Sequence, residues 1–249
     1  GGQIQNAEKG SILNGRFQSL DVRTGRSAGG GYRRMKIGII GTGPMGRYLG
    51  GRWAAQDHDV FIGSHDSGSE RAATLAAEIG RGSRSGTYAE AAAFGEVILL
   101  AVAWEHAVAV ARQLAPELNG KVLLDCNDPG SFEQVDALVG PHRSLAEAIT
   151  DAAPGAAVVK LFNTIAADEI RVTSDPVFNL RDRPTTFCCG DDQGALRIAR
   201  SLADEIGFET VYVGPLPNAR HLESLAGLAA CLSTYDAGFR LAVRHHGNW

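Results

Sequence analysis

The chain has 249 residues, of which 44% are hydrophobic and 21% charged, and its formal net charge is -4. That length can bury a good core in one or two domains, and the composition is that of an ordinary soluble globular protein. The acidic balance and the lack of a basic stripe interleaved with aromatics argue against a nucleic-acid partner. No apolar run is long enough to span a bilayer, so no membrane partner is expected either.

Gly1 to Arg34 is rich in Gly, Ser, Arg, Asn and Gln and includes Gly29-Gly30-Gly31. Such a segment cannot bury enough surface to offset its ordering entropy, and residues 1–34 read as a disordered extension. No charged n-region with a following apolar stretch is visible, so no leader peptide is expected. Folding is expected to begin between Tyr32 and Met35. The run Met35-Lys36-Ile37-Gly38-Ile39-Ile40 predicts a strand that ends in Gly41-Thr42-Gly43-Pro44-Met45-Gly46. An amphipathic helix over 44–56 and a second strand over 58–63 follow. Strand, glycine turn, helix and strand form the arrangement that holds a dinucleotide diphosphate. Gly41 permits the turn, Gly43 lets the backbone approach the phosphates, and Gly46 lets helix and strand pack closely.

Further strands are predicted at 96–102, 121–126, 157–162, 185–189 and 209–213. Helices are predicted at 68–80, 87–94, 104–116, 143–152, 164–171, 191–206 and 216–235. Val97 to Val102 and Val122 to Leu124 are apolar without alternation, which fits a parallel sheet covered on both faces. The alternation of strands and helices predicts an α/β fold, a Rossmann-type doubly wound, mostly parallel sheet. The expected division is a dinucleotide-binding domain over 35–163 and a smaller C-terminal α+β domain over 164–249. The last helix carries Leu222, Leu225, Leu228, Ala229 and Leu232 as a stripe suited to core or subunit interface. His221 and Glu223 on that helix read as surface or interface residues.

The second strand ends in Gly63-Ser64-His65-Asp66. A hydroxyl and an imidazole there, with Arg71 near, suit a ribose 2′-phosphate and favour NADP. Asp66 is an acid that could take the ribose hydroxyls of NAD instead. Trp104 stands where a strand gives way to a helix at the carboxyl edge of the sheet. It either walls a ligand ring or caps the core. Asn163 and Thr164 end a later strand on the same edge, as ligand contacts or as helix caps. Lys160, inside an apolar strand, is poorly placed for an exposed base, which argues against a lysine-dependent hydroxyacid dehydrogenase. Cys126, Cys188, Cys189 and Cys231 show no CxxC spacing, so reduced thiols and a cytoplasmic setting are expected. The histidines form no zinc-ligand pattern, and no metal site is expected.

Several motifs accompany the glycine loop in order. They are Ile62-Gly63-Ser64, Ala101-Val102-Ala103-Trp104-Glu105-His106, Val159-Lys160-Leu161-Phe162-Asn163-Thr164-Ile165, Phe187-Cys188-Cys189-Gly190-Asp191-Asp192 and Gly214-Pro215-Leu216-Pro217-Asn218-Ala219-Arg220. From Met35 to about Gly238 the chain resembles the NADPH-dependent coenzyme F420 reductases, a family related to the cytosolic domain of the STEAP metalloreductases. The resemblance implies hydride transfer between NADP(H) and a deazaflavin, coenzyme F420, or a similar small-molecule acceptor. Gly41, Thr42, Gly43, Pro44, Met45 and Gly46 match its diphosphate loop, and Ser64 and His65 its 2′-phosphate positions. Val102, Ala103 and Trp104 match the loop beside the nicotinamide. Asn163, Thr164, Ile165 and Ala167 match the segment where the two rings meet, so Ala167 is expected to touch the coenzyme and Trp104, Asn163, Thr164 and Ile165 the second ring, F420 or a flavin. The resemblance also suggests a homodimer. The chain departs from the family in having His65 where an arginine is usual and in carrying Asp128 before Pro129. No residue is expected to act as a catalytic acid or base, because the cofactors carry hydride chemistry. A flavin or ferric-chelate reductase of the same superfamily and a non-catalytic NADP-binding sensor are the alternatives.

Overall fold

The computed structural model describes residues 33–128, 142–172, 183–236 and 243. Residues 1–32, Pro129 and the pair His245-His246 lie outside the described residues. Eight strands form a single sheet in the order β3-β2-β1-β4-β5-β6-β7-β8. They are β1 (Lys36–Ile40), β2 (Asp59–Ser64), β3 (Arg84–Thr87), β4 (Val97–Leu100), β5 (Val122–Asp125), β6 (Ala157–Leu161), β7 (Thr185–Gly190) and β8 (Glu209–Tyr212). All neighbours pair in parallel except β6 with β7, which run antiparallel. This is the doubly wound fold that the sequence predicts, and the strands of the 164–249 region continue the same sheet. Strand order reverses between β1 and β4, and ligands of such sheets bind beyond the carboxyl ends of the strands at that point.

The described helices are α1 (Pro44–Ala55), α2 (Glu70–Ile79), α3 (Tyr88–Phe94), α4 (Trp104–Gln113), α5 (Ala115–Leu118), α6 (Leu145–Ala152), α7 (Ala167–Val172), α8 (Gln193–Glu205) and α9 (Ala219–Tyr235). A short 3-10 turn, Leu216–Asn218, precedes α9. Successive strand residues point to opposite faces. Ile37, Ile39, Val97 and Leu99 meet Leu49 and Trp53 of α1, Leu75 of α2 and Leu202 of α8. Ile40, Ile98 and Leu100 meet Ala91 of α3, Ala107 and Ala111 of α4, and Ile149 of α6. β4 and β5 are buried on both faces, which is why their sequences do not alternate.

The edge strand β3 was not among the predicted strands. Its sequence, Arg-Ser-Gly-Thr, carries no apolar signal. It is held by parallel pairing with β2 and by the Arg84 guanidinium, which lies 5.4 Å from the Phe61 ring centre and 4.4 Å from that of Phe94. The predicted helix over 104–116 also breaks at Leu114. Pro116 stands in the first turn of α5, where its missing N–H costs nothing but cannot serve a continuing helix. A buried polar link closes the far end of the sheet. The Met35 N–H donates to His58 Nδ1 at 3.0 Å, so Nε2 carries the proton and donates to Glu205 at 2.6 Å.

Candidate active site

Gly41 follows β1 with φ of +121°, a conformation glycine adopts readily, and a Cβ there would lie 2.2 Å from the Ala101 carbonyl oxygen. At Gly46 a Cβ would lie 2.9 Å from the Gly41 carbonyl oxygen and 3.0 Å from the Ile39 side chain. Both glycines are therefore required by the protein's own packing. Gly43 is different. Its φ and ψ of -75° and 179° suit any residue, and a Cβ there would meet nothing within 4 Å.

Gly43 is also the N-cap of α1. No side chain among the described residues caps this helix, and its first turn holds no acidic residue. Pro44 has no N–H, and the Arg47 N–H bonds to the Gly43 carbonyl at 3.0 Å. The Met45 and Gly46 amides precede that first intrahelical bond. As first-turn amides they lack intrahelical partners and sit at the positive end of the helix dipole, beside the open space at Gly43. Such a helix start fits an anion and a backbone-hugging phosphate.

A cleft of about 450 Å³ opens beside this turn, bounded by Gly43 and Met45, by Val102 and Ala103 after β4, and by Asn127 and Ala167 among others. A second compartment of about 350 Å³ adjoins it, bounded by Thr164, Asp168, Glu169 and the Ala226, Ala230 and Ser233 side of α9. Pro44, Asp128, Asn163, Ile165, Ala166 and Ala167 border both compartments. The structure thus brings together Gly43, Pro44, Met45, Val102, Ala103, Asn163, Thr164, Ile165 and Ala167 from the sequence-predicted set. Thr42 lies half-buried just ahead of them. Ser64 and His65 sit apart, at the carboxyl end of β2. Trp104 opens α4 half-buried against the core and borders neither compartment.

Behind the Asn127 wall lies a buried ionic cluster that sequence reasoning missed. Lys160 Nζ donates to Asp125 at 2.9 Å, to Glu223 at 2.9 Å and to the Asn127 carbonyl at 2.8 Å. Glu223 also accepts from the Leu145 and Ala146 amides at 2.9 and 3.2 Å, at the start of α6. The expectation that Glu223 lies at a surface or interface is corrected: it is 5% exposed, because its carboxylate neutralises a buried ammonium. Burial pulls the Lys160 pKa down, but the two carboxylates outweigh it and hold the ammonium charged above the ordinary lysine range. Lys160 is fully buried, as unsuited to an exposed base as its strand context implied. Its role is to tie the Asn127 wall, β6 and α9 together. Asp125-Cys126-Asn127 at the end of a predicted strand was the available signal.

Asn163 completes the join. Its Nδ2 donates to the Leu222 carbonyl of α9 at 3.0 Å, while its Oδ1 is buried without a hydrogen-bond partner among the described residues. The preceding residue, Phe162, has φ of +66°. A left-handed phenylalanine costs about 1–2 kcal/mol. The ring is fully buried, 5.5 Å from Phe208 and 6.4 Å from Trp53, and this packing holds the turn that delivers Asn163 to the cleft.

The fold and the uncapped glycine turn together have the form of a dinucleotide-binding site. Residues 36–129 match the family described as NADP oxidoreductase, coenzyme F420-dependent. The F420-dependent NADP reductase of Methanothermobacter thermautotrophicus is 29% identical over 225 residues, 83% of this chain and 94% of that protein. Metalloreductase STEAP3 of Rattus norvegicus is 31% identical over 191 residues, 76% of this chain, and the chain spans only 36% of that protein's length. A crystal structure from Arthrobacter sp. FB24, of a protein assigned as an F420-dependent NADP-reductase, superposes with a TM-score of 0.68 at 25% identity. It covers 84% of this chain and 100% of the other. The chain is thus similar to the F420-dependent NADP oxidoreductases, and it is an NADP-dependent oxidoreductase.

Proposed function

We propose that the chain passes a hydride between NADP(H) and a deazaflavin of the coenzyme F420 type. The observation that carries this reading is the pair of adjoining compartments, one at the glycine turn and one against α9, which share a border at Asn163, Ile165 and Ala167. Two planar rings brought face to face need such a double slot.

Two features fit the nicotinamide coenzyme. The space beside Gly43 is where a phosphate would replace a Cβ, and the buried Asn163 Oδ1 lacks a donor that a carboxamide can provide. When bound, the coenzyme supplies the hydride chemistry. Thr42, Gly43 and the Met45 and Gly46 amides hold its diphosphate. Val102, Ala103 and Ala167 bound the nicotinamide side. Asn163, Thr164 and Ile165 position the second ring, and Lys160 keeps the walls at fixed separation, which is the main lever a protein has over such a transfer. Ser64 and His65 lie where the ribose 2′-phosphate would sit. The exposed Leu228, Leu232 and Tyr235 of α9 suit a homodimer contact, and the free cysteines suit the cytoplasm. No helix among the described residues is long and apolar enough to cross a membrane.

The test is NADPH oxidation, followed at the nicotinamide band, with F420, FMN or a ferric chelate as acceptor. The reading predicts fastest turnover with F420. Faster turnover with FMN or the chelate would move the assignment to a flavin or ferric-chelate reductase. Clear NADPH binding without turnover on any acceptor would favour a sensor.

A further inference from the structure

Asn127 follows β5 and is 4% exposed. It borders the compartment beside the glycine turn and not the one against α9. Almost every polar atom it has is spent on the protein. Its backbone N–H donates to Asp125 Oδ1 at 3.0 Å, and its carbonyl accepts from Lys160 at 2.8 Å. Both side-chain amide hydrogens are taken as well: Nδ2 donates to Asp125 Oδ1 at 2.7 Å and to the Leu100 carbonyl at 3.2 Å. Turning the amide over would set Oδ1 against those two acceptors, so the orientation is fixed. Oδ1 is the one polar atom left to present to the compartment, and none of the described residues donates to it.

Asn163 repeats this arrangement at the end of β6, the neighbouring strand. Its Nδ2 is held by the Leu222 carbonyl, which fixes that amide in the same way, and its Oδ1 is buried without a partner among the described residues. It borders the same compartment and the second one too. The other polar side chains on this lining supply no donor to meet either oxygen. The Cys126 thiol is turned to the Leu100 carbonyl at 3.4 Å, and Asp128 is an acid. Two fixed acceptors in one compartment specify a ligand group with two hydrogens to give, because a buried acceptor left unmet carries its full desolvation cost. A hydroxyl or a ring N–H answers one of them, whereas a primary amide answers both. Strand order puts the compartment in the right place. With the diphosphate over β1, and strands about 4.8 Å apart, the end of β5 lies about 10 Å further across the sheet, on the nicotinamide side.

We propose that Asn127 and Asn163 clamp the amino group of the nicotinamide carboxamide, one hydrogen to each Oδ1, and so fix how the ring is turned toward the second compartment. The inference rests on the dinucleotide site proposed above. Both oxygens touch the coenzyme at a group that does not react, so they are positioning residues. Lys160 and Asp125 act one step behind them, by holding the Asn127 backbone and amide in place.

The experiment measures dissociation constants for NADPH and for its 3-acetylpyridine analogue, in which a methyl ketone replaces the carboxamide, on the wild-type chain and on Asn127→Ser. The wild type should prefer NADPH by at least about tenfold, because the analogue leaves both oxygens unmet. Asn127→Ser should weaken NADPH by about fivefold, the net worth of one hydrogen bond, and bind the analogue no more weakly than the wild type does. A wild type that binds both coenzymes equally would overturn the inference, as would equal weakening of both by Asn127→Ser. A second measurement needs no variant. In NADP labelled with nitrogen-15 at the carboxamide and bound to the wild type, both amide hydrogens should be protected from solvent exchange in the NMR spectrum. One protected hydrogen, or none, would overturn the clamp. Each of these contrary results leaves the dinucleotide site standing, whereas a wild type that binds neither coenzyme would remove the site and the clamp together.

Discussion

Two helices start at the carboxyl edge of the same sheet, and their first turns are finished in opposite ways. The start of α6 is closed by the protein. Ser144 and Glu147 form a reciprocal capping box, and Glu223 reaches in from α9 to accept from the Leu145 and Ala146 amides. Among the described residues, no side chain reaches the start of α1. Its cap is Gly43, its next residue Pro44, and its first turn holds no acid. The same unsatisfied amides and the same dipole are present at both ends. At α6 an internal carboxylate answers them and fixes a wall. At α1 they are left for an anion from outside. A helix start that the sequence leaves uncapped beside a cleft is thus more informative about function than one it caps.

The largest expected effect lies on the closed side. Lys160→Met strands the Asp125 and Glu223 carboxylates in the interior, and should cost about 3–5 kcal/mol in denaturant unfolding. The pH dependence follows from the raised Lys160 pKa. A group whose pKa is higher in the folded state contributes its full stability below the unfolded value, about 10.4, and loses it as pH climbs through the folded value. The Lys160 contribution should therefore be flat through neutral pH and vanish only in strongly alkaline solution. A decline already evident between about pH 7 and 9, well below the unfolded lysine value, would mean the ammonium is not held as described.

Within the glycine turn the contrast sharpens. Gly41→Ala places a Cβ against the Ala101 carbonyl at a positive φ, and should destabilise the fold by about 3 kcal/mol. Gly43→Ala meets open space and should move the melting temperature little. Equal losses at both positions would erase the distinction drawn between them. A smaller effect belongs to the α6 cap: Ser144→Ala should cost about 1 kcal/mol.

The smallest effect concerns thiols. Burial pushes the Cys126 thiol, which borders the cleft, up to about 12, with the Asp125 charge adding to the shift. Cys188 and Cys189 are likewise pushed up to about 12 by burial. Cys231 on α9 is exposed. Alkylation at mildly alkaline pH, read by mass spectrometry, should modify Cys231 first and leave the other three until the chain unfolds.

What the sequence discloses follows the same division between local and distant causes. The core strands were legible because β4 and β5 are unbroken apolar runs, and the glycine turn because its signal spans six consecutive residues. β3 was not, because the stacking of Arg84 on Phe61 and Phe94 leaves no periodicity. Glu223 was misplaced because it sits beside Leu222 on an amphipathic helix, and its partner Lys160 lies 63 residues away. Periodicity reports which face a residue takes, but not which charge waits there. The Leu222-to-Leu232 stripe shows the same limit: Leu222 is buried, while Leu228 is 54% and Leu232 38% exposed.

The open start of α1 is tested most directly by giving it the cap it lacks. Gly43→Asp supplies a carboxylate of the kind that closes α6, at a backbone conformation the new residue accepts. NADPH titrated calorimetrically into both proteins should bind the wild type and give no heat with the variant, whose melting temperature should be equal or slightly higher. An aspartate variant that bound NADPH as tightly as the wild type would show that the diphosphate does not rest on this helix.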